Sequence, residues 1–580
     1  MHRGLSSSAE VVVRAPARAE PRRTADILVD VLVDAGVEVI FGLPGGAIAP
    51  IEDAVIDRDE IRVITTRTEA GAVFAAAGYA RATGKLAVVA VTSGPGITNA
   101  LTGLASAMSD GLPVLVLAGE VPQNRYGRGA LQETSAYSLN IVQAAKTFAK
   151  LSVEVRDPNT APAMLSRAIA TALSGARGPV LLTLPIDVTT ARVTAPLIDV
   201  NPRIAFEPAK ETIDAVASAL ANAKRPVLFV GSGARWGLGP ERVRLLAERL
   251  QIPVVTTPKA KGVFPETHPL SLGVFGWGGH SSATEYLTQG VDLLMAIGTG
   301  LGEAATNNWS DLLKASDHFI QLDVEAQRIG RTYPVTIGVA GTVDDVLPLV
   351  MTRLEQIVTR PRLARRFGVV RTDSGENFRV GSEGRIAPQR ALWEIQQVMP
   401  RNTLFTADMG DHTFFALHHL EIDRPDGFMA MLGLASMQSG IGAAVGMKAG
   451  QPGSPVVAVC GDGCFAMGIG DVATAAREKL PVVFAVLNDE RYGMVEAGNM
   501  AVYGRTPEYP SGPFDIPTIA RAVGAEAAVI EKPGDILSLD IVEATKHAPL
   551  VLDIRIDRTV RLSRARLDFI KKTANRKTVN

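Results

Sequence analysis

The chain has 580 residues, 47% of them hydrophobic and 21% charged, with 59 basic side chains against 60 acidic ones. At roughly 150 residues per domain this length points to three or four domains, each able to bury a core without disulfide or metal staples. A net charge of −1 excludes a general nucleic-acid binder, because phosphate binding needs a basic excess. No apolar run reaches the roughly 18 residues of a membrane-spanning helix. Cys460 and Cys464 make no disulfide framework and match no zinc spacing, which favours a reducing compartment, the cytoplasm.

Residues 1–23 hold Arg3, Arg14, Arg18, Arg22 and Arg23 with Ser6, Ser7 and Ser8. Glu10 and Glu20 and the missing amphipathic period count against a targeting peptide, so the segment reads as a disordered tail. A first domain is expected over 24–195. Thr24 is its expected helix N-cap, ahead of a one-sided apolar pattern (Ile27, Leu28, Val31, Leu32, Ala35) ending at Gly36. Strands are expected at Val37–Phe41, Ile61–Ile64, Leu86–Val91, Val114–Ala118 and Val180–Leu184, with a glycine turn at Thr92–Gly96 and a helix through Met108. The proline-punctuated stretch 195–208 reads as a linker. A central domain over 208–358 opens with the strand Pro226–Val230 and the turn Gly231-Ser232-Gly233, followed by strands near Val254, at Leu293–Ile297 and at Phe319–Val324. After a charged, glycine-containing segment, a third domain over 385–560 carries strands at Leu404–Thr406, Val456–Cys460, Val482–Leu487 and Leu550–Ile554. The last segment, 561–580, has seven basic residues and one acid and reads as a solvated tail. Apolar strand-length runs alternating with helix-period segments predict an α/β fold of three doubly wound parallel-sheet domains.

The most informative segment is Val456–Cys460 running into Gly461-Asp462-Gly463, with Val482–Leu487 running into Asn488-Asp489-Glu490. Parallel strands deliver their carboxyl ends to one edge, where ligands bind. The two aspartates are 27 residues apart, enough for one helical crossover, so they are expected side by side. Hard oxygen ligands flanked by glycines suit Mg²⁺ shared with a phosphate. The plainer reading is a pair of loop aspartates capping helices.

At these residues the sequence resembles the thiamine diphosphate enzymes, most closely their acetolactate synthase branch. The resemblance spans nearly the whole chain: Phe41–Ala47 with its Gly45-Gly46 pair, Arg67-Thr68-Glu69, Gly78–Gly84, Thr92–Asn99, Ala130–Glu133, Leu434–Met437 and Arg491–Val495 stand in the family's order. It implies a metal site of Asp462, Asp489 and the main-chain carbonyl of Arg491, with an acid at Asp489 where the family has asparagine. It implies that Glu69 faces N1′ of the cofactor's aminopyrimidine, and that Gln132 and the Gly46 N–H contact substrate-derived oxygens. Asp411 (where the family has glutamine), His412, Ala435, Gly461, Gly463, Cys464 and Met494 become cofactor neighbours, and Met437 the wedge under a bent cofactor. Taken alone, Glu69 would read as a helix N-terminal charge and Met437 as core. In the family the glutamate and the metal site meet across a subunit interface, which implies a homodimer or homotetramer, with room for a regulatory subunit.

The departures bear on substrate. The branch's Pro-Lys-Asp is Pro185-Ile186-Asp187 here, its pocket tryptophan aligns with Gly498, and the aromatic residue before the glutamine is Leu131. The central segment that helps grip FAD is replaced by Gly298–Asn308, and a lone short glycine turn is weak evidence for a nucleotide, so FAD is left open. His280 reads either as a pocket residue or as an exposed loop histidine. The expected activity is thiamine diphosphate- and Mg²⁺-dependent decarboxylation of a pyruvate-like 2-oxo acid with transfer to a carbonyl acceptor. The alternatives are a simple decarboxylase or C–C lyase and, further off, a non-catalytic paralogue.

Overall fold

The computed structural model describes residues 20–194, 207–357, 366–371 and 384–560. The tail up to residue 19, most of the 195–208 linker, much of 359–384 and the basic segment 561–580 lie outside them. The described residues build three six-stranded sheets, parallel throughout. The chain divides into two compact units, 1–77 with 85–204, and 78–84 with 205–580. The first holds one sheet and the second two.

The first sheet runs, edge to edge, Arg62–Thr65, Val39–Gly42, Ala87–Val91, Val114–Glu120, Val180–Pro185, Leu151–Glu154. The central sheet runs Ser271–Val274, Val254–Thr256, Pro226–Val230, Val291–Ile297, Ala315–Asp323, Ile337–Ala340. The third runs Phe428–Met429, Leu404–Ala407, Val456–Gly461, Val482–Asn488, Leu550–Arg555, Glu526–Ile530. Numbered along the chain, the first and third sheets share the order 2-1-3-4-6-5, and the central one is 3-2-1-4-5-6. In each, the order reverses between two inner strands, and that reversal opens a crevice at their carboxyl ends. Inner strands such as Val114–Glu120 and Val456–Gly461 are buried almost end to end, as a sheet covered by helices on both faces requires.

Several local expectations shift. Thr24 is the first helical residue rather than the cap. Its N–H and hydroxyl both bond to the Ala191 carbonyl, at 2.8 and 3.0 Å, and Arg23 takes the cap position. Arg22 and Arg23 pair antiparallel with Arg192 and Val193, and ion pairs to Asp30, Asp26 and Asp53 hold them there. They therefore belong to the first domain and not to the tail. Cys464 lies in the helix Asp462–Arg477, which the chain enters directly at Asp462. His280 is fully buried and is neither an exposed loop histidine nor a pocket residue. Its Nδ1 accepts from the Val274 N–H (2.8 Å) and its Nε2 lies 3.0 Å from the His418 carbonyl, which assigns the proton to Nε2.

The second unit contains a buried ionic knot. Lys261 and Glu266 are nearly solvent-free and pair at 2.5 Å; Arg371 (2.9 Å) and the Ile422 N–H (3.0 Å) satisfy the other Glu266 oxygen. Burial lowers the Lys261 ammonium to about 8.

Candidate functional site

In the first unit, the strand Arg62–Thr65 leads into the helix Glu69–Thr83, whose first turn is capped by the Thr68 hydroxyl accepting from the Gly71 N–H at 3.0 Å. Glu69 is the first residue of that helix and is 6% exposed. One of its oxygens accepts from Asn99 Nδ2 at 3.1 Å. The crevice of this sheet lies between Val39–Gly42 and Ala87–Val91, so the loops Leu43–Ala47 and Thr92–Gly94 flank it, the second shorter than the expected turn because a helix already starts at Pro95. They are joined by the Ala47 N–H reaching Thr92 Oγ1 at 3.4 Å. A methyl group on Gly45 would lie 2.4 Å from Thr92 Cβ, while one on Gly46 would meet nothing within 4 Å. Gly46 therefore stands open at the crevice. Gln132 packs on the same turn: a Cβ on Gly94 would lie 2.8 Å from Gln132 Cβ. Its φ of +63° is unusual for a residue with a side chain. The adjacent turn is held by Glu120, a buried carboxylate at the end of the strand Val114–Glu120, which accepts from the N–H and hydroxyl of Thr134.

In the second unit, the crevice of the third sheet lies between Leu404–Ala407 and Val456–Gly461. The turn Gly410-Asp411-His412 opens one helix there, and Gly461-Asp462-Gly463 opens another. Two helix N-termini thus meet at one edge, a favourable place for an anion. His412 is buried and its Nε2 has no partner among the described residues; burial lowers it to about 4, so the ring is neutral. Side chains on Gly410 or Gly461 would crowd that ring, at 2.4 and 3.2 Å. A buried polar atom without a partner, set among glycines and two helix starts, fits a diphosphate oxygen.

Val456–Gly461 and Val482–Asn488 are neighbouring parallel strands, with Gly461 opposite Leu487. Asp462 and Asp489 therefore emerge side by side. Asp462 is buried and accepts from the Ser511 hydroxyl. Burial first, and then the Asp462 charge, raises the Asp489 carboxyl to about 6. Asp489 also lies 3.1 Å from Arg491 Nε, and a second nitrogen of Arg491 is 3.1 Å from Glu496. No cluster of three or more His, Cys, Asp or Glu side chains that would hold a metal occurs among the described residues. Two carboxylates plus main-chain and phosphate oxygens fit Mg²⁺, which keeps few protein ligands. Ala435 (φ +62°) and Gln438 (φ +74°) bracket the half-buried Met437 in left-handed backbone. Gln438 donates to Asp471 at 2.9 Å. Cys464 turns its thiol to the Met409 carbonyl, 3.3 Å away, and Met494 lies in the first turn of the helix Gly493–Tyr503. Glu69, Gln132 and Gly46 thus belong to the first unit and every other candidate to the second.

Sequence reasoning gave no role to Asn99, Glu120, Ser511, Asp471 or the Arg491 guanidinium. Ser511 meets Asp462 from 49 residues downstream, a separation with no sequence signal. In the central sheet the Gly231 and Gly233 amides donate to the Ile297 and Gly298 carbonyls, so this turn closes two strand ends together.

Three family models match in chain order. The thiamine pyrophosphate enzyme N-terminal TPP binding domain covers residues 22–139, the central domain 213–350, and the C-terminal TPP binding domain 408–554. The acetolactate synthase of Mycobacterium bovis is 31% identical over 548 residues, spanning 91% of this chain and 87% of its own. An acetolactate synthase large subunit of Parasynechococcus marenigrum is 33% identical over 549 residues (92% and 87%). The acetolactate synthase isozyme 1 large subunit of Escherichia coli is 31% identical over 544 residues (92% and 94%). Near-complete coverage at this identity, over a fold whose crevices carry the expected turns, places the chain in the thiamine diphosphate enzyme family, on its acetolactate synthase branch.

Proposed function

We propose that the protein decarboxylates pyruvate or a close 2-oxo acid and joins the remaining acyl unit to a carbonyl acceptor. The carrying observation is the third-sheet crevice, where buried His412 Nε2, without a partner among the described residues, sits between the two glycine-flanked helix starts. Relatives with near-complete coverage named acetolactate synthases support carboligation over simple decarboxylation. His412, Asp411, Gly461, Gly463 and Cys464 would surround the diphosphate. Asp462, Asp489 and the Arg491 carbonyl would hold Mg²⁺. Ala435, Met437 and Met494 would support the rings. Bound thiamine diphosphate supplies the electron sink for the pair released as carbon dioxide leaves. Glu69 holds and returns the proton at N1′, and its burial keeps water from competing for that exchange. Gln132 and the Gly46 N–H orient the substrate oxygens.

In this reading Glu69 of one subunit serves the metal-bearing turn of another, so a homodimer is the smallest active form. The Parasynechococcus marenigrum and Escherichia coli relatives are named large subunits, which supports a separate small regulatory subunit. The two buried free thiols support a cytoplasmic location. Among the described residues no helix is long and apolar enough to cross a membrane. Flavin is left to the absorbance spectrum of purified protein, where a flavin band would add it to the reading. The test is to incubate apo protein with thiamine diphosphate, Mg²⁺ and labelled pyruvate, with and without a second 2-oxo acid, followed by mass spectrometry. Labelled acetohydroxy acid supports the reading, whereas acetaldehyde alone would replace it with simple decarboxylation.

A further inference from the structure

Glu69 is buried, and its carboxylate has one side-chain donor among the described residues, the Asn99 amide at 3.1 Å. A buried carboxylate needs partners, and here the partner comes from a different helix, Pro95–Asp110. What brings the two together is a contact one turn further along both helices. Val73 lies four residues beyond Glu69 and Gly103 four residues beyond Asn99, so each pair shares a helix face. A Cβ on Gly103 would lie 2.5 Å from Val73 Cβ and 3.3 Å from the Ala70 carbonyl oxygen. Only a glycine allows this approach, and the approach sets Asn99 against the first residue of the facing helix. Asn99 itself is exposed while the carboxylate it holds is not. The amide therefore closes over Glu69 from the solvent side and engages Oε2, leaving Oε1 to a second partner.

We propose that Asn99 is a positioning residue for Glu69: its amide fixes which carboxylate oxygen is turned to the cofactor's aminopyrimidine, and Gly103 fixes the amide. The inference rests on the thiamine diphosphate reading above, in which Glu69 exchanges a proton at N1′. It adds a residue that acts through Glu69, governing how often the carboxylate is correctly aimed.

The test reads cofactor activation directly and is independent of the substrate's identity. Purified protein is loaded with thiamine diphosphate and Mg²⁺, diluted into deuterium oxide, quenched in acid, and the C2 hydrogen of the cofactor is followed by NMR. Asn99→Ala is expected to slow exchange about tenfold, the effect of removing a group that orients a functional side chain. Thermal unfolding and cofactor affinity should stay near wild type. Asn99→Asp keeps the shape but loses the donor and should slow exchange at least as much; exchange restored by aspartate would show a space-filling role and overturn the proposal. In a Glu69→Ala background, Asn99→Ala should add nothing, because it acts through Glu69; a further drop would overturn it too. Fast exchange in both wild type and Asn99→Ala would refute the positioning role and leave the functional reading standing. Wild-type exchange no faster than free cofactor would refute that reading and the inference with it.

Discussion

Asp471 offers a measurement of how the cofactor-side turn is held. It lies in the helix Asp462–Arg477, 2% exposed, bonded to Gln438 Nε2 at 2.9 Å and paired with no basic side chain among the described residues. Burial first, and then the charge of Asp408, moves its carboxyl from 3.8 to about 7. The folded protein therefore binds a proton there that the unfolded chain releases, and stability falls as pH rises from about 4 to about 7. The full displacement corresponds to a ceiling of about 4 kcal/mol, of which about 2 to 3 kcal/mol falls between pH 5 and pH 8. Asp471→Asn keeps an acceptor for Gln438 and carries no charge. Urea unfolding at the two pH values should show the variant gaining on wild type by about 2 to 3 kcal/mol at the higher one. An equal gap at both values would refute the argument, for it would mean that the carboxyl is already ionised and compensated in the fold.

Three further outcomes follow from the geometry. Lys261→Met strands part of the Glu266 carboxylate in a dry site and should destabilise the second unit by about 3 kcal/mol, read as a lowered urea midpoint; an unchanged midpoint would mean that Arg371 and the Ile422 N–H suffice. Asp489→Asn removes one negative charge beside the proposed diphosphate, so Mg²⁺-dependent cofactor binding, followed by calorimetry, should be equal or tighter. A large loss would show that the second acid is needed as a metal ligand. Gly498→Trp projects into space where a Cβ meets nothing within 4 Å, so the fold should survive, with about 0.5 kcal/mol gained in helix propensity. The ratio of acetohydroxy-acid products in a competition between two acceptors should shift; an unchanged ratio would place this position outside the acceptor pocket.

What the sequence made legible follows burial. Inner strands such as Pro226–Val230 and Val456–Gly461 are apolar on both faces, and continuous apolar runs announced them to within a residue or two. The edge strands Leu151–Glu154, Ile337–Ala340 and Glu526–Ile530 are half-exposed; they are short and lack the bulky continuous apolar runs of the inner strands, and they went unannounced. The shared strand order of the first and third sheets left no trace either, because the same layer arrangement is satisfied by any suitably apolar residues. At the candidate site, local motifs were readable where glycine marks a close approach, as at Gly461 and Gly94. Partners supplied from far along the chain, such as Ser511 on Asp462, were not. Nor was the fate of His280, since a histidine beside glycines looks the same in a sequence whether it is exposed or held between the Val274 N–H and the His418 carbonyl.

The backbone at the two crevices shows why local rules fail there. Gln132, Ala435, Gln438 and Glu490 all have φ between +60° and +74°, a region that disfavours side chains by about 1 kcal/mol or more per residue. Propensity alone would put glycine at each, and no pattern in the sequence marks them as exceptions. Two of the four are glutamines with a task for the amide: Gln438 reaches Asp471, and Gln132 is the proposed substrate contact. A glycine would relax the backbone and lose the amide in both places. Ala435 sits three residues before Gln438, with Met437 between them, so the turn carrying the proposed wedge is bent at both ends by residues that resist bending. Such a turn persists only if its surroundings over-determine it, and Asp408 does so on the other side, accepting from the Gly440 and Ile441 N–H groups at 3.0 and 3.2 Å. Two buried acids thus clamp one strained turn. An arrangement that raises both carboxyls, Asp408 to about 6 and Asp471 to about 7, costs stability, and the turn it holds is the one on which the cofactor's rings are proposed to rest.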